Sequence, residues 1–207
     1  MEIIKTFSLT IALFTMLFGL SPVYAEANQK AEGFVQKNAQ STLDFIGNPE
    51  TTEEQKHKRL DKMINANFDL RSIGRFALGR YWRILPKENQ AEYHKLFKEY
   101  VINIYSQRFN EYSGEKFEVT GSRIEQNNDT IVFSKLYAAK GNPIIIDWRI
   151  RERNGSMRVL DVIVEGVSMS LTQRSEFDSI IQRNGSKPTA LLAFLEEQNA
   201  KQLARKM

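Results

Sequence analysis

The segment Gly166-Val167-Ser168-Met169-Ser170 is the place where residue types and spacing come closest to a nucleophile. The apolar run Val162 to Val164 leads into it and a helix-like pattern follows. That is the strand, sharp turn and helix of a G-x-S-x-G elbow, in which a strained turn exposes a serine hydroxyl. Here the final glycine is missing, because Ser170 stands in its place. The preceding strand also belongs to an antiparallel series rather than to a parallel α/β sheet.

A serine nucleophile needs a base as well. The chain has two histidines, His57 and His94, and both lie among charged residues on helical segments. Neither forms the H-x-x-x-H pair that would hold zinc. The sequence contains no cysteine, which removes thiol chemistry, disulfides and cysteine metal sites. No glycine-rich phosphate loop occurs. Asp147 and Asp161 are the only sheet carboxylates that could serve as a catalytic group, and their alternation with apolar neighbours puts both opposite the apolar face. An enzyme in a cone-shaped α+β domain would need one of them in a closed pocket with a displaced pKa. The serines are expected to be punctuation. Ser170, with Gln173 three residues on, reads as a capping box, and Gly166 allows a backbone bend where the strand ends. The residues therefore give no catalytic set, no metal site and no cofactor loop.

The elements around these groups follow from hydrophobic period. Ala31, Phe34, Val35, Ala39 and Leu43 recur at helical spacing until Gly47-Asn48-Pro49 stops them. Thr51 with Glu54 reads as a capping box for a second helix carrying Leu60, Met63 and Ile64. Asp69 caps a short helix, Leu70 to Leu78, that ends at Gly79. Pro86 opens the longest pattern: Tyr93, Leu96, Phe97, Tyr100, Val101, Ile104, Tyr105 and Phe109 form one wide stripe closed by Ser113-Gly114.

The period then changes to two. Phe117 and Val119 alternate with polar residues, and Ile131 to Ala138 forms a second strand after Asn127-Asn128-Asp129. Beyond the turn Lys140-Gly141-Asn142-Pro143, the residues Ile144, Ile146, Trp148 and Ile150 share a face. Asn154-Gly155 signals a type I′ hairpin, and the last strand puts Leu160, Val162 and Val164 together. Helices over about 172–183 and 188–204 close the chain. The expected fold is α+β: a four-stranded antiparallel twisted meander packed against several helices.

The N-terminus sets the expected compartment. Lys5, the apolar run Thr6 to Leu20, and Val23-Tyr24-Ala25 have the layout of a secretory signal peptide cleaved after Ala25. That run is shorter than the roughly 20 residues a membrane span requires. Cleavage leaves 26–207 as a single domain with no later segment apolar enough to cross a bilayer. Lys and Arg total 29 against 25 Asp and Glu, a net charge of +4. These cations are dispersed along the chain, so nucleic-acid binding is not expected. Mild attraction to anionic membrane surfaces or acidic partners is.

Several motifs resemble one family. FALGRYWR (76–83), the Pro-led helix ending in YSGE (112–115), DWR (147–149), DVIVEGVSM (161–169) and TQRSEF (172–177) are similar to the MlaC family, also called toluene-tolerance proteins. The resemblance implies a periplasmic shuttle that carries one glycerophospholipid between outer and inner membranes and supports outer-membrane lipid asymmetry. It implies two partners, an outer-membrane lipoprotein complex and an inner-membrane ABC transporter with an MCE-domain subunit, and retrograde transport as the usual direction. No cofactor is implied. It also implies acyl chains sheltered between the sheet and a helical layer. Two chains of about 30 methylenes, at about 0.8 kcal/mol each, would cost on the order of 20 kcal/mol in water, so the shelter must be an apolar cavity. A carrier or accessory protein for another lipid, such as a hopanoid, is the alternative, distinguished by a rigid slot in place of flexible-chain channels.

The apolar faces supply the expected lining: Phe97, Tyr100, Val101, Ile104 and Tyr105 from the long helix, and Ile131, Phe133, Ile146, Trp148, Val162 and Val164 from the sheet. Tyr81 and Trp82 are placed at the rim, where an aromatic with a polar tip suits a wet edge. Arg80 and Arg83 are the headgroup candidates, because a phosphate stays near solvent and pairs with a cation.

Overall fold

The structure is a computed structural model that describes residues 27–108, 114–137 and 141–204. The expected leader, and Phe109, Ser113, Ala138 and Lys140 within expected elements, lie outside the described residues.

Asn28 starts the fold by joining a helix to the sheet. Its side-chain oxygen accepts from the Ala31 N–H at 3.1 Å, capping α1 (Gln29–Ile46), while its amide donates to Thr130 Oγ1 at 3.0 Å. The cap of α2 (Glu53–Asn67) differs from the expected one: Thr52 and Gln55 form the capping box, one residue later than Thr51 and Glu54. Thr51 is otherwise engaged, donating its hydroxyl to the Phe45 carbonyl that ends α1. Asp69 caps α3 (Leu70–Leu78) as expected, and its backbone N–H reaches the Val159 carbonyl of the sheet. A 3₁₀ turn, Gly79–Arg83, leads to α4 (Lys87–Arg108).

The sheet runs β1 (Lys116–Ile124), β2 (Asp129–Tyr137), β3 (Ile144–Arg153), β4 (Ser156–Val164) and β5 (Val167–Ser168), antiparallel and in chain order. The class is α+β, but the sheet has five strands in place of four. Glu165 and Gly166 both take positive φ, 49° and 78°, and turn the chain back so that Val167 and Ser168 pair with Val164 and Ile163. Asn154 and Gly155 make the expected positive-φ hairpin, at 50° and 73°. Then α5 (Met169–Arg183) and α6 (Thr189–Ala204) finish the helical layer, α5 beginning three residues before the expected Thr172.

Register decides which residues share a face. Val132 opposes Trp148, and Trp148 opposes Val162. Phe117, Val119, Ile150 and Val159 join them beneath α1, which contributes Ala31 and Val35. A bulge between Arg149 and Ile150 leaves Leu160 as the extra residue of β4. Val159, not Leu160, therefore opposes Ile150 and is buried. Simple alternation misplaces Leu160 because it cannot see a bulge.

Among the described residues the apolar interior divides into three clusters. One lies within the helical layer, around Tyr93, Phe97, Phe177, Ile181, Leu191 and Leu195. Another joins the sheet to α1, and a small one joins Leu60 and Ile64 of α2 to Ile102 of α4. The helices of the first cluster approach closely. A Cβ on Gly74 would lie 2.9 Å from the Phe97 ring, and Tyr93 donates its hydroxyl to the Gly74 carbonyl at 2.6 Å. Burial holds that phenol neutral by pushing its pKa up.

Candidate functional site

The opening serines are held by a carboxylate. Ser168 caps α5, its Oγ accepting from the Leu171 N–H at 3.1 Å and donating to Asp161 Oδ2 at 2.5 Å. Asp161 Oδ1 accepts from the Ser170 N–H at 3.0 Å. The cap is thus Ser168, two residues before the expected Ser170. Asp161 at the first turn of α5 supplies the negative charge that a helix N-terminus favours. The hydroxyl that resembled a nucleophile directs its proton into a carboxylate and gives a lone pair to the helix backbone.

Asp147, the second candidate carboxylate, opposes Phe133 and Ile163 on the face away from α1. Its Oδ1 is buried without a hydrogen-bond partner, and desolvation raises its pKa while Arg123 pulls the other way. On the same face, Arg151 holds the buried Asp129 carboxylate with two contacts, at 2.6 and 2.8 Å. Sequence alternation placed Asp147 and Asp161 correctly but did not reveal these attachments. Among the described residues no cluster of His, Asp or Glu is arranged to hold a metal ion.

The expected lining separates into groups. Ile146, Trp148, Val162 and Val164 share the α1-facing side of the sheet, paired in register. Ile131 and Phe133 do not: they oppose Arg149 and Asp147 and so lie on the opposite face. β2 reads Ile131-Val132-Phe133, apolar on both faces, so sequence alone does not show that the inward residue is Val132, which is fully buried. Trp148 is fixed by a neighbour that sequence reasoning missed. Its indole N–H donates to Ser134 Oγ at 2.9 Å, and Ser134 donates on to the Ile146 carbonyl.

On α4, Phe97 is enclosed by helices, stacked with Tyr93 at 5.9 Å and edge-on to Phe177 at 6.1 Å. Tyr100 and Val101 pack at the margin of the helical cluster and Tyr105 at that of the α2–α4 cluster. Burial raises the pKa of Tyr100. Ile104, Ile146 and Val164 are half-buried and belong to none of the three clusters.

Tyr81 is buried in the helical cluster rather than set on a rim, and Arg80 caps it. The Arg80 guanidinium donates to Tyr81 Oη at 2.9 Å and to Asp178 at 3.1 Å. Trp82 is half-buried against Tyr93 and His94, and burial, with Arg71 nearby, lowers the His94 pKa. Two open depressions lie on the helical surface. One of about 530 Å³ is lined by Arg80, Tyr81, Arg83, Ile84 and Ser186, and one of about 330 Å³ lies between the end of α3 and α5. Neither lies between the sheet and the helices.

Fold and side chains together define the class: a helix-clad antiparallel sheet with an apolar interior in separate clusters, its buried polar residues Thr42, Asp129, Thr130, Ser134 and Ser170 each hydrogen-bonded. The chain belongs to the MlaC family, whose family model, described as MlaC protein, matches residues 36–197. It is 26% identical over 121 residues to the intermembrane phospholipid transport system binding protein MlaC of Haemophilus influenzae, a match covering 56% of each chain. It is 21% identical over 179 residues to the toluene tolerance protein ttg2D of Pseudomonas putida, covering 83% of this chain and 82% of that one. A phospholipid-binding protein from Ralstonia solanacearum, solved in complex with a phospholipid, superposes with a TM-score of 0.72 at 21% identity. That match covers 84% of this chain and 98% of the other, and it shows the shared fold.

Proposed function

We propose that this protein is a periplasmic phospholipid carrier. It takes a glycerophospholipid between the outer and inner membranes as the soluble component of an ABC transport system, and so maintains outer-membrane lipid asymmetry. Its partners on this reading are an outer-membrane lipoprotein complex and an inner-membrane ABC transporter with an MCE-domain subunit. Residues 1–25 act as a cleaved signal peptide and 26–207 fold as one lipid-binding domain.

One observation carries the reading physically: the sheet cluster and the helical cluster share no residue among those described. They are linked through the small α2–α4 cluster, where Phe68 touches the sheet side and Leu70 and Val101 the helical side. Acyl chains enter along this seam, against Ile146, Val164, Ile104 and the exposed flanks of Trp148, Val162, Tyr100 and Tyr105. Family membership over residues 36–197 supports the choice of cargo.

The test is extraction of the purified mature protein with organic solvent, followed by mass spectrometry. A co-purified phospholipid is the expected result. A lipid-free protein that also takes up none from vesicles contradicts the carrier reading, and a bound polycyclic lipid in its place redirects it to another cargo.

A further inference from the structure

Between Leu70 and Lys87 the chain carries Arg71, Arg75, Arg80, Arg83 and Lys87 and no acidic residue. The fold gathers these dispersed cations on one surface. Arg71 and Arg75 stand one turn apart on α3, Arg80 and Arg83 one turn apart on the 3₁₀ segment, and Lys87 opens α4. All five are exposed. Arg174 of α5 joins them, its guanidinium 5.2 Å from the Phe76 ring centre. Arg75 lies 5.6 Å from the centre of Trp82.

Of the described carboxylates that border this surface, only Asp178 pairs with one of its cations, Arg80. Asp69 is occupied by the N–H and hydroxyl of Ser72, Glu92 accepts from Asn89, and Glu176 accepts from Gln173. Glu88 lies exposed in the first turn of α4. Among the described residues Arg71, Arg75, Arg83, Lys87 and Arg174 have no ion-pair partner within the chain. Apolar tips project among these charges: Ile84 is 61% exposed and Phe76 41%.

Unpaired cations on one surface repel, and Ile84, 61% exposed, gains nothing in water, so contacts within the chain leave Arg71, Arg83, Lys87 and Ile84 unexplained. We propose that the α3–3₁₀ surface, with Arg174, docks on the face of an anionic phospholipid bilayer. The cations meet the headgroup phosphates, and Ile84 and Phe76 enter the interfacial region, the division of labour expected of a peripheral membrane site. The depression bounded by Arg80, Arg83, Ile84 and Ser186 suits a single headgroup. Arg80 and Arg83 then read the membrane surface instead of the cargo. An acidic protein would satisfy the charges, but the mixture of cations with the exposed side chains of Ile84 and Phe76 favours lipid.

Vesicle co-sedimentation tests this. The wild-type protein is expected to sediment with phosphatidylglycerol–phosphatidylethanolamine vesicles, not with phosphatidylcholine vesicles, and salt should release it. Each cation removed should lower partitioning about fivefold, equivalent to about 1 kcal/mol, so the double variant Arg71→Gln/Arg83→Gln should lose about 25-fold. Ile84→Ser should weaken binding without changing its salt dependence, and Lys37→Gln/Lys62→Gln, exposed elsewhere, should bind as wild type. Equal binding to both vesicle types, or an unaffected double variant of unchanged circular dichroism, overturns the proposal. So does patch-dependent retention on immobilised polyglutamate with no vesicle binding, which would assign the surface to an acidic protein. Sedimentation reads docking and not cargo, so a protein that carries no phospholipid can pass this test and a true carrier can fail it.

Discussion

The sharpest prediction concerns Asp161, because it decides whether the serines are capping groups or chemical ones. Asp161→Ala removes the acceptor for the Ser170 N–H at 3.0 Å and for the Ser168 hydroxyl at 2.5 Å. Hydrogen bonds to a charged group are worth about 1.5–3 kcal/mol each. Asp161 is only half-buried, so water replaces part of this and the lower figure applies to both. The loss should be about 3 kcal/mol in total, with helix-dipole attraction contributing at most about 1 kcal/mol of it. Asp161→Asn keeps one acceptor and should lose about 1 kcal/mol. Ser168→Ala should lose about 2.5 kcal/mol, about 1 kcal/mol as a missing N-cap and about 1.5 kcal/mol for its bond to Asp161. Urea denaturation measures these losses: with a slope of roughly 2 kcal/mol/M, 3 kcal/mol moves the midpoint by about 1.5 M. The two alanine changes share a bond, so the double variant should fall short of additivity by about 1.5 kcal/mol. An Asp161→Ala midpoint indistinguishable from wild type would refute the reasoning. So would Ser168→Ala that leaves stability intact while abolishing a hydrolytic activity.

Three further outcomes are expected. Gly74→Leu should destabilise by about 1–3 kcal/mol through overpacking against Phe97, read as a lower thermal midpoint, because a Cβ there already lies 2.9 Å from the ring. Val164→Trp should fill the seam and lower co-purified phospholipid about tenfold, an effect of about 1.4 kcal/mol, while Phe133→Trp on the opposite sheet face should not change it; mass spectrometry of extracted lipid makes the comparison. Asp147 has its folded pKa raised by desolvation, so its charged form is penalised above that pKa and the penalty disappears as pH falls through it towards the unfolded value. Asp147→Asn should therefore be more stable than wild type at about neutral pH, with the advantage shrinking under acid conditions; parallel urea melts at both pH values check the sign.

Much of the architecture follows from periodicity. Asp69 caps α3, Asn154-Gly155 turns the hairpin, and Ile146, Trp148 and Ile150 share one face of β3 as expected. The errors have identifiable causes. Thr51 and Thr52 are equally able to cap a helix, and the choice depended on a contact to Phe45 in the preceding helix. The short β5 is invisible to a period of two because two residues make no period. Ile131-Val132-Phe133 is apolar on both sides, so its orientation depended on pairing with β3, a property of two strands and not of either one. The basic surface escaped a search for contiguous charge because Arg71, Arg75, Arg80 and Arg83 are separated by uncharged residues within 70–87 and Arg174 comes from α5.

The candidate site was the least legible part, for a reason that bears on the mechanism. Hydrophobic pattern says that a side chain leaves water; it does not say whether a protein group or a ligand receives it. Phe97 and Ile146 look alike in sequence, yet Phe97 is enclosed by Gly74, Tyr93 and Phe177 while Ile146 stays half-buried outside every cluster. Fully burying such a side chain is worth about 1.5–3 kcal/mol. Inserting a guest beside Phe97 would forfeit that stabilisation and break the Tyr93–Gly74 hydrogen bond. On the carrier proposal, an acyl chain beside Ile146 and Val164 would replace water and not packed protein, so the exchange would favour the guest on both sides, and the helical cluster would serve as the rigid support. Variants that loosen Phe97 should therefore act first on folding, and variants at Val164 first on cargo.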